Sequence, residues 1–477
     1  MTNRLDRDFH LPGLLRFALP TIIMMLVVSL YTIVDGVLIA RLVGENALAA
    51  ANVAYPAISF TLAMGIMLGT GGSAVVAHKM GAGYLEEARR DFGFLALVAV
   101  CIGLAVCLTG VLFSGPLARL LGASDLLLDD TVTYLRVQLC FAPMAMLQLL
   151  FESFFVTAGR PGLGLGLAVA AGVTNAVLDY LYMGPMQMGI LGAALGTVTG
   201  YSIPAVVGVL FFLLRRQGLR FGRPHGDLRM LGRACFNGAS EMVTNLSMAV
   251  TTFLFNAIMM AYLGEAGVSA ITIVLYAQFL LVSLYMGFSM GVAPVFSFNR
   301  GAGRYDRMRR IFGYCLRFIL VSSVAILAVA LALSGVVVGI FSTPGSQVYA
   351  IALDGFRRFA PAFLFAGVNI FSSALFTALS DGRTSAIISF ARTFGFLLLG
   401  LLLLPRLLEV DGVWLAVPLA ACCRSGSSAA SGPTSASAVG ISPDTVDAAA
   451  DGPDGSEAII KAPGATRRGP LIVLFRR

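Results

Sequence analysis

Long apolar segments recur along the sequence from its N-terminus to about residue 420. A helix that crosses the ~30 Å hydrocarbon core of a bilayer needs about 20 apolar residues, and eleven segments reach that length before a twelfth begins near Gly412. Only 12% of the residues are charged, about half the fraction usual in soluble domains. The sequence therefore predicts an all-α polytopic membrane protein, with spans near 14–40, 49–76, 92–114, 131–158, 163–183, 189–214, 235–262, 268–297, 311–341, 348–379 and 384–404.

Basic residues fall mainly in the loops on one side of these spans. Arginine and lysine cluster before the first span, near 79–90, in the linker 215–233 and near 300–310, whereas the opposite loops hold only scattered charges. Cytoplasmic loops of membrane proteins carry an excess of basic residues. The pattern predicts a multi-pass protein of the cell membrane whose N-terminus and long linker are cytoplasmic.

The formal net charge of +8 does not indicate a nucleic-acid partner, because the basic residues form no stripe with interleaved aromatic side chains. The three histidines, at positions 10, 78 and 225, lie in the N-terminus and the basic loops. We find no nucleophile paired with a base and no metal-ligand cluster in the spans. The sequence therefore predicts a non-enzymatic monomer without a cofactor, with the lipid bilayer and a small-molecule substrate as its partners.

The linker divides the apolar region into two similar halves of six spans, residues 1–222 and 223–420. Short motifs recur in the same order at an offset near 220. Because each half has an even number of spans, both halves keep the same orientation, as parallel repeats do. We therefore predict two six-helix bundles, an N-lobe and a C-lobe, around a central cleft. The matches are Leu42-Val43-Gly44-Glu45 with Tyr262-Leu263-Gly264-Glu265, Gly65-x-x-x-Gly69 with Gly287-x-x-x-Gly291, Gly81-Ala82-Gly83 with Gly301-Ala302-Gly303, Arg89-Arg90 with Arg309-Arg310, and Gly159-Arg160 with Gly382-Arg383.

A small polar set lies within the apolar spans of the N-lobe, where ionisable side chains are costly and mark functional sites. Asp35 is four residues from Tyr31, so the two share a helix face, and the same spacing joins Asn175 to Asp179. At ~1.5 Å per residue, Asp35, Asp179 and Thr197 reach a similar depth, roughly 7–12 Å below the outer ends of their spans. Carboxylate, amide and hydroxyl oxygens suit Na⁺, and neighbouring carboxylates also suit protons. The set predicts a cation site for either ion; the alternative is helix capping and interhelical hydrogen bonding.

The ordered motifs resemble those of the multidrug and toxic compound extrusion (MATE) transporters. The similarity extends from residue 10 to about residue 419 and includes the duplicated six-span halves. It rests on Pro20, Tyr31-x-x-x-Asp35-Gly36, Asn175-x-x-x-Asp179 and Thr197. The resemblance implies a bend in span 1 at Pro20, a supporting role for Tyr31, and an N-lobe site for H⁺ or Na⁺ at Asp35, Asn175, Asp179 and Thr197.

The same resemblance implies a secondary antiporter that exports organic, cationic or amphipathic compounds in exchange for Na⁺ or H⁺. Two alternatives stay open, a lipid-linked precursor flippase of the same superfamily and an inactive, truncated transporter. A flippase needs a strongly basic cleft for pyrophosphate, whereas the charges within the spans are mostly acidic.

The C-lobe does not repeat the cation set, because the offset places Phe255 opposite Asp35 and Leu399 opposite Asp179. A polar stripe on span 7 and one residue of span 8 are instead the candidates for a substrate cleft: Asn237, Glu241, Asn245, Asn256 and Gln278. Polar residues on an apolar helix face a cavity or a neighbouring helix. Glu241 therefore either attracts a cationic substrate near the inner mouth or has a capping or interhelical role.

The composition changes abruptly at Ala420. Residues 421–477 are rich in Ser, Gly, Ala and Pro, a composition that cannot bury a core and predicts a disordered tail. Span 12 would then be too short to cross the bilayer. A change of reading frame near residue 420 explains the break, and a genuine cytosolic tail is the alternative. Translation of the other frames beyond codon 420 distinguishes the two, since a frame change predicts a further apolar run.

Overall fold

The computed structural model describes residues 4–380 and 398–429, together with 382, 390, 395 and 397. The regular elements of these residues are helices, which confirms the all-α prediction for them. They are a short 3-10 helix, Arg4–Asp6, and the α-helices α1 (Leu11–Leu42), α2 (Glu45–Gly81), α3 (Leu85–Leu120), α4 (Leu128–Cys140), α5 (Ala142–Thr157), α6 (Pro161–Met183), α7 (Ile190–Leu214), α8 (Leu228–Gly301), α9 (Tyr305–Ala332), α10 (Ser334–Phe341), α11 (Gln347–Phe359), α12 (Ala362–Ala378) and α13 (Leu398–Ala429).

Several helices expose continuous apolar faces. On α3, Leu104, Leu108 and Leu112 stand four residues apart and are 55%, 60% and 60% exposed. A stripe of this kind is unfavourable in water and is the surface that lipid covers. Seven of the described helices are long and apolar enough to cross a membrane, and the bent pairs α4–α5 and α11–α12 add two more. The chain is therefore a multi-pass membrane protein, as its sequence predicts.

The longest helix, α8, contains two of the predicted spans. Its 74 residues would measure roughly 110 Å as a straight helix, far more than the thickness of a bilayer. The helix breaks at Gly264, where φ is 61° and ψ is −151°. Gly44, which separates α1 from α2, also has a positive φ, of 125°. Because glycine adopts such angles at little cost, the matched motifs around Gly44 and Gly264 each place a glycine with a positive φ between two successive spans.

Each bundle contains a bent span in which an arginine donates a hydrogen bond to a serine of the helix before it. The helices α4 and α5 meet at a bend of 55°, and α11 and α12 meet at 57°. In the first bundle Arg136 Nε donates to Ser114 Oγ at 3.2 Å, and in the second Arg357 Nε donates to Ser334 Oγ at 3.2 Å. The two arginine–serine pairs lie about 220 residues apart in the sequence, which is also the offset of the repeated motifs. The structure therefore has two repeated helical bundles around a central cleft, as predicted.

One of the predicted motif matches is displaced in the structure. The turn after α5 has Gly159 at a φ of 71°, and the turn after α12 has Ser380 at 53°. Helix ends define which positions correspond, so Ser380, and not Gly382, is the counterpart of Gly159. The sequence comparison missed this because a serine, unlike a glycine, does not indicate a left-handed backbone conformation.

The predicted eleventh span, 384–404, lies largely outside the described residues. The last described helix, α13, begins at Leu398, breaks at Glu409 with a φ of 52° and continues to Ala429. Helical backbone therefore extends past residue 420, where the sequence predicts that the apolar part of span 12 ends. Residues 430–477 of the predicted tail lie outside the described residues. The domain limits at 222 and 420 and the change of reading frame stay predictions.

The two bundles meet closely at the end that carries the linker 215–227, which we call the basic end. Here α2 and α8 cross at two glycines, Gly81 and Gly301, which correspond to each other in the repeated motifs. A Cβ atom on Gly81 would meet the carbonyl oxygen of Phe298, and one on Gly301 would meet the carbonyl oxygen of His78. Small residues let helix backbones approach to this distance. The reciprocal contact closes the molecule at the basic end.

Close contact between the bundles continues partway along the helices. A Cβ on Gly238 of α8 would lie 3.0 Å from the Cα of Met67 in α2, and one on Gly287 would lie 2.6 Å from the Cα of Ile22 in α1. Among the described residues, no glycine in the half of the molecule farther from the basic end would place a Cβ against the other bundle. The central cleft is therefore narrow at the basic end.

The segment that precedes the N-lobe, residues 4–9, packs on the C-lobe; we call it the leading segment. Leu5 and Phe9 are 0% and 7% exposed and belong to a core cluster that includes Met308 of α9. Asp6 forms an ion pair with Arg304, in the turn between α8 and α9. The leading segment is therefore fixed to the bundle made by the second half of the chain.

The linker 215–227, which precedes the C-lobe, packs on the N-lobe in the corresponding way. The Gly222 N–H donates to the Arg89 carbonyl oxygen at 3.0 Å, and Arg89 Nε donates to the Gly218 carbonyl oxygen at 2.9 Å. The ring of Phe221 stacks on Phe92 of α3 with a centroid distance of 4.8 Å. Each bundle thus holds the segment that leads into the other.

The linker ends at Asp227, which caps the N-terminus of α8. Its Oδ1 accepts the backbone N–H of Arg229 at 2.9 Å and of Met230 at 3.1 Å. These bonds lower the pKa of Asp227 below its ordinary value of 3.8, and the bond from Met230 has the largest effect. The carboxylate is the form that caps the helix, so the cap is complete above that pH and is lost as the pH falls through the lowered pKa.

We expect Asp227→Ala to lower the free energy of unfolding by about 1 kcal/mol, because the first turn of α8 loses its acceptor. Thermal unfolding of the purified protein at neutral pH measures the change. Asp227→Asn is the matched control, since asparagine also caps helices. Equal destabilisation by both variants would contradict a capping role.

Candidate functional site

Asp35, Asn175 and Asp179 come together where α1, α6 and α7 meet. The carboxyl groups of Asp35 and Asp179 are within hydrogen-bonding reach of each other, and the Asn175 carboxamide is beside Asp179. Asp179 is 0% exposed and Asn175 is 4% exposed. Two buried carboxylates in contact repel each other strongly unless a proton or a cation lies between them. The geometry therefore needs a positive charge at this junction.

Glycines allow the three helices to meet closely at these side chains. A Cβ on Gly196 of α7 would fall on the Oδ1 of Asp179. A Cβ on Gly200, one turn further on, would lie 3.4 Å from the Cβ of Asn175. Where α1 crosses α6, a Cβ on Gly172 would lie 2.9 Å from the Tyr31 ring. The Asp179 carboxyl thus occupies space that any residue other than glycine at 196 would take.

Four buried oxygen atoms at the junction have no protein hydrogen bond of normal geometry. They are Oδ1 of Asp35, Oδ1 of Asn175, and Oδ1 and Oδ2 of Asp179. Buried polar atoms without a partner are rare and call for an unseen ligand or proton. Carboxylate and amide oxygens are the ligands that hard cations such as Na⁺ prefer, and a proton shared by the carboxyls would satisfy the same atoms. The residues present therefore fit either ion.

The remaining residues predicted for the N-lobe lie near this junction in different ways. Thr197 follows Gly196, but its hydroxyl donates to the Ala193 carbonyl oxygen at 3.0 Å on its own helix and not to the carboxyls. Tyr31 packs against α6 and lies within electrostatic range of Asp35. Pro20 lies inside α1, which is one continuous helix from Leu11 to Leu42. The bend expected at Pro20 does not interrupt the helix in this conformation.

Comparison with known families decides the family of this chain. The MatE family model matches residues 20–181 and again residues 242–402. The two matches cover most of both bundles, one for each repeat. The chain belongs to the MATE family.

MATE proteins of known function and structure match most of the chain. The multidrug export protein MepA of Staphylococcus saprophyticus is 23% identical over 410 residues, which cover 84% of this chain and 87% of MepA. A crystal structure of MATE in complex with MaL6 superposes with a TM-score of 0.84 at 19% identity, covering 92% of this chain and 97% of that one. A MATE transporter in an outward-facing conformation gives a TM-score of 0.83 at 19% identity, covering 95% and 99%. The structural likeness shows that the bundles have the MATE fold.

The polar stripe predicted for the MATE C-lobe cleft lies partly in a helix contact. Asn237 is 3% exposed and its Nδ2 donates to the Thr377 carbonyl oxygen of α12 at 2.7 Å. Glu241 Oε1 accepts from Ser373 Oγ of the same helix at 3.5 Å. Asn245 Nδ2 donates to the backbone oxygen of Glu241 at 2.9 Å. The inner part of the stripe therefore joins α8 to α12.

The other two cleft candidates do not share in the hydrogen bonds that join α8 to α12. Asn256 has a buried Oδ1 without a hydrogen bond, and Gln278 is half-buried. Neither contacts the Asp35 junction. The structure therefore brings together three predicted cation-site residues but does not gather the five C-lobe candidates around one point.

Sequence reasoning overlooked a further carboxyl in the N-lobe, Glu152 of α5. Gln148 Nε2 donates to its Oε1 at 3.1 Å. Tyr31 of α1 and Tyr201 of α7 lie within electrostatic range of both Glu152 and Asp35. The signal was present, because Glu152 is an acidic residue inside an apolar span and meets the criterion that selected Asp35. The polar interior of the N-lobe is therefore larger than the four residues predicted.

Proposed function

We propose that the protein is a secondary antiporter that exports organic compounds, cationic or amphipathic ones among them, in exchange for Na⁺ or H⁺. The observation that carries this proposal is the buried contact of Asp35 with Asp179, whose oxygens need a proton or a cation. Relatives such as MepA are named multidrug export proteins, which supports the proposal that this chain exports drugs. These relatives are transporters and not enzymes, so the acidic site is interpreted as an ion-coupling site.

The coupling follows from the two charge states of the junction. Without a bound ion, repulsion between the carboxylates of Asp35 and Asp179 favours separation of α1 from α6. A proton or Na⁺ removes the repulsion and favours the packed arrangement, so ion binding selects one conformation of the N-lobe. If the organic substrate binds the other conformation, each ligand lowers the affinity for the other. Pro20 removes one backbone hydrogen bond of α1 and marks the point where the helix can bend.

The same proposal includes orientation, location and partners. The concentration of arginines at the basic end supports a cytoplasmic position for that end and for the N-terminus, in the cell membrane. One chain contains both bundles and the cleft between them, which supports a monomer as the working unit. Its partners would be the bilayer and the exported small molecule, with no cofactor beyond the coupling ion.

Acidic residues also distinguish the antiporter from the flippase alternative. A pyrophosphate-linked lipid needs a basic pocket, whereas Asp35 and Asp179 at the N-lobe junction are acidic, and so is Glu152 near it. Helical backbone continues to Ala429, but the residues after Ala420 are mostly polar or small, so the truncated transporter stays an alternative.

A transport assay with separate ion gradients tests the proposal. The purified protein is reconstituted in liposomes, and movement of the fluorescent cation ethidium is followed under a Na⁺ gradient alone or a pH gradient alone. We expect at least one of the gradients to drive ethidium movement above the rate of protein-free liposomes. Failure of both gradients, with the protein shown to be folded, would reject antiport of this cation.

A further inference from the structure

Glu152 is a half-buried acid of the N-lobe that the Asp35 junction does not include. It lies in the second half of α5, in a run with Phe151, Phe154 and Phe155, which are all at most 1% exposed. Its one side-chain hydrogen bond comes from Gln148, and no arginine, lysine or histidine of the described chain forms an ion pair with it. A carboxylate without a cation is very costly in such surroundings, so the group takes a proton or another positive charge.

The partner of Glu152 also has an unsatisfied atom. Gln148 is 6% exposed, and its Oε1 is buried without a hydrogen bond. Gln148 and Glu152 are four residues apart and lie on one face of α5. The pair therefore presents a carboxyl whose only side-chain donor is Gln148 and an amide oxygen that lacks a donor, which together form an acceptor site for a proton and a small hydrogen-bonded ligand such as water.

The Glu152 site is connected to the Asp35 junction by tyrosines from two other helices. Tyr31 of α1 lies beside the Gln148 carboxamide and within electrostatic range of both Glu152 and Asp35. Tyr201 of α7 is likewise within range of both carboxyls, and Tyr55 of α2 is near Tyr201. Because charges interact strongly at low dielectric, protonation of one acid changes the cost of charging the other.

We propose that Glu152, held by Gln148, is a second proton-loading group of the N-lobe, coupled to Asp35 and Asp179 through the space that Tyr31 and Tyr201 line. Loading is a simple proton transfer: a hydronium ion on the cleft side gives H⁺ to one carboxylate oxygen of Glu152 and becomes water, and release reverses the step. The inference rests on the proposed antiport. It predicts that the N-lobe exchanges a proton at Glu152 in addition to the ion bound at the junction.

Infrared difference spectroscopy during a pH titration of the full-length protein tests the proposal without any substrate. The C=O stretch of a protonated carboxyl reports each buried acid that titrates. We expect Glu152→Gln to lose one such carboxyl per chain relative to wild type, and Glu152→Asp to recover it. Asp35→Asn should keep the Glu152 signal, and Asp125→Asn, whose side chain is 93% exposed, should match wild type in the frequency range of carboxyls that are shielded from water. Identical spectra for wild type and Glu152→Gln would overturn the proposal.

Proton release on addition of tetraphenylphosphonium connects the site to transport. This cation carries a fixed charge and no exchangeable proton, so every proton that appears in a weakly buffered solution comes from the protein. We expect Glu152→Gln to release about one proton fewer per bound cation than wild type. Equal release by the two proteins would overturn the role in coupling. If wild type neither binds nor transports organic cations, the proposed function fails, and the infrared count still decides whether Glu152 loads a proton.

Discussion

Asp35→Asn is expected to abolish ion-driven export. The substitution keeps the size of the side chain but removes one of the two carboxyls that face each other at the junction of α1 and α6. Without the carboxyl pair, neither a shared proton nor Na⁺ changes the packing of α1. Coupling free energies of ~1–3 kcal/mol correspond to effects of 5–150-fold, so we expect gradient-driven ethidium transport to fall about tenfold or more. Initial rates in liposomes measure the loss.

The matched control for this prediction is Asp125→Asn. Asp125 is also an aspartate of the N-lobe, but its side chain lies in a turn and is 93% exposed. It should transport ethidium at the wild-type rate. Wild-type transport by Asp35→Asn under the same gradients would show that the buried carboxyl pair is not the coupling site.

Gly196→Ala is expected to be as damaging as the loss of the Asp179 carboxyl, although it removes no polar group. The added methyl group would occupy the position of Asp179 Oδ1, and the backbone nitrogen of Asp179 lies only 3.2 Å away. The carboxyl must therefore move away from Asp35, or α7 must move away from α6. We expect ion-driven transport to fall about tenfold or more, with the chain still folded and inserted in the membrane.

Two glycines on neighbouring faces provide controls for Gly196. A Cβ on Gly166 of α6, or on Gly36 beside Asp35, would meet nothing within 4 Å. Gly166→Ala and Gly36→Ala make the same chemical change in the two helices that carry the carboxyls, without touching the carboxyls themselves. Both should transport normally. If all three variants lose transport equally, general helix packing and not the position of Asp179 is responsible.

The sequence was most informative where spacing alone decides the outcome. Asn175 and Asp179 had to share one face of α6 because a helix repeats every 3.6 residues, and comparable depth placed Asp35 at their level. The break at Gly264 could be predicted from Gly44, since the same motif lies between two successive spans in each bundle. These features depend on local geometry and on length, both of which can be read from a sequence.

Partners across helices could not be predicted in the same way. Helical periodicity identifies a face but does not say which neighbour covers it, so Asn237 was expected at the cleft and instead bonds to α12. The hydroxyl of Thr197 shows the same limit, because a threonine in a helix can bond to its own backbone as readily as to a ligand. The closeness of Asp179 to α7 depends on Gly196, and a glycine in a helix does not indicate which side chain of a neighbouring helix occupies the space beside it.

The leading segment gives the chain an order of assembly. Its docking surface includes Arg304 and Met308, which are synthesised about 300 residues after Asp6 and Phe9. The linker, by contrast, docks on α3, which precedes it along the chain. During synthesis the N-lobe can therefore dock its own linker at once, while the leading segment must wait until α8 and α9 have been inserted. The leading segment is thus among the last of the described parts to reach its place, although it is among the first to be synthesised.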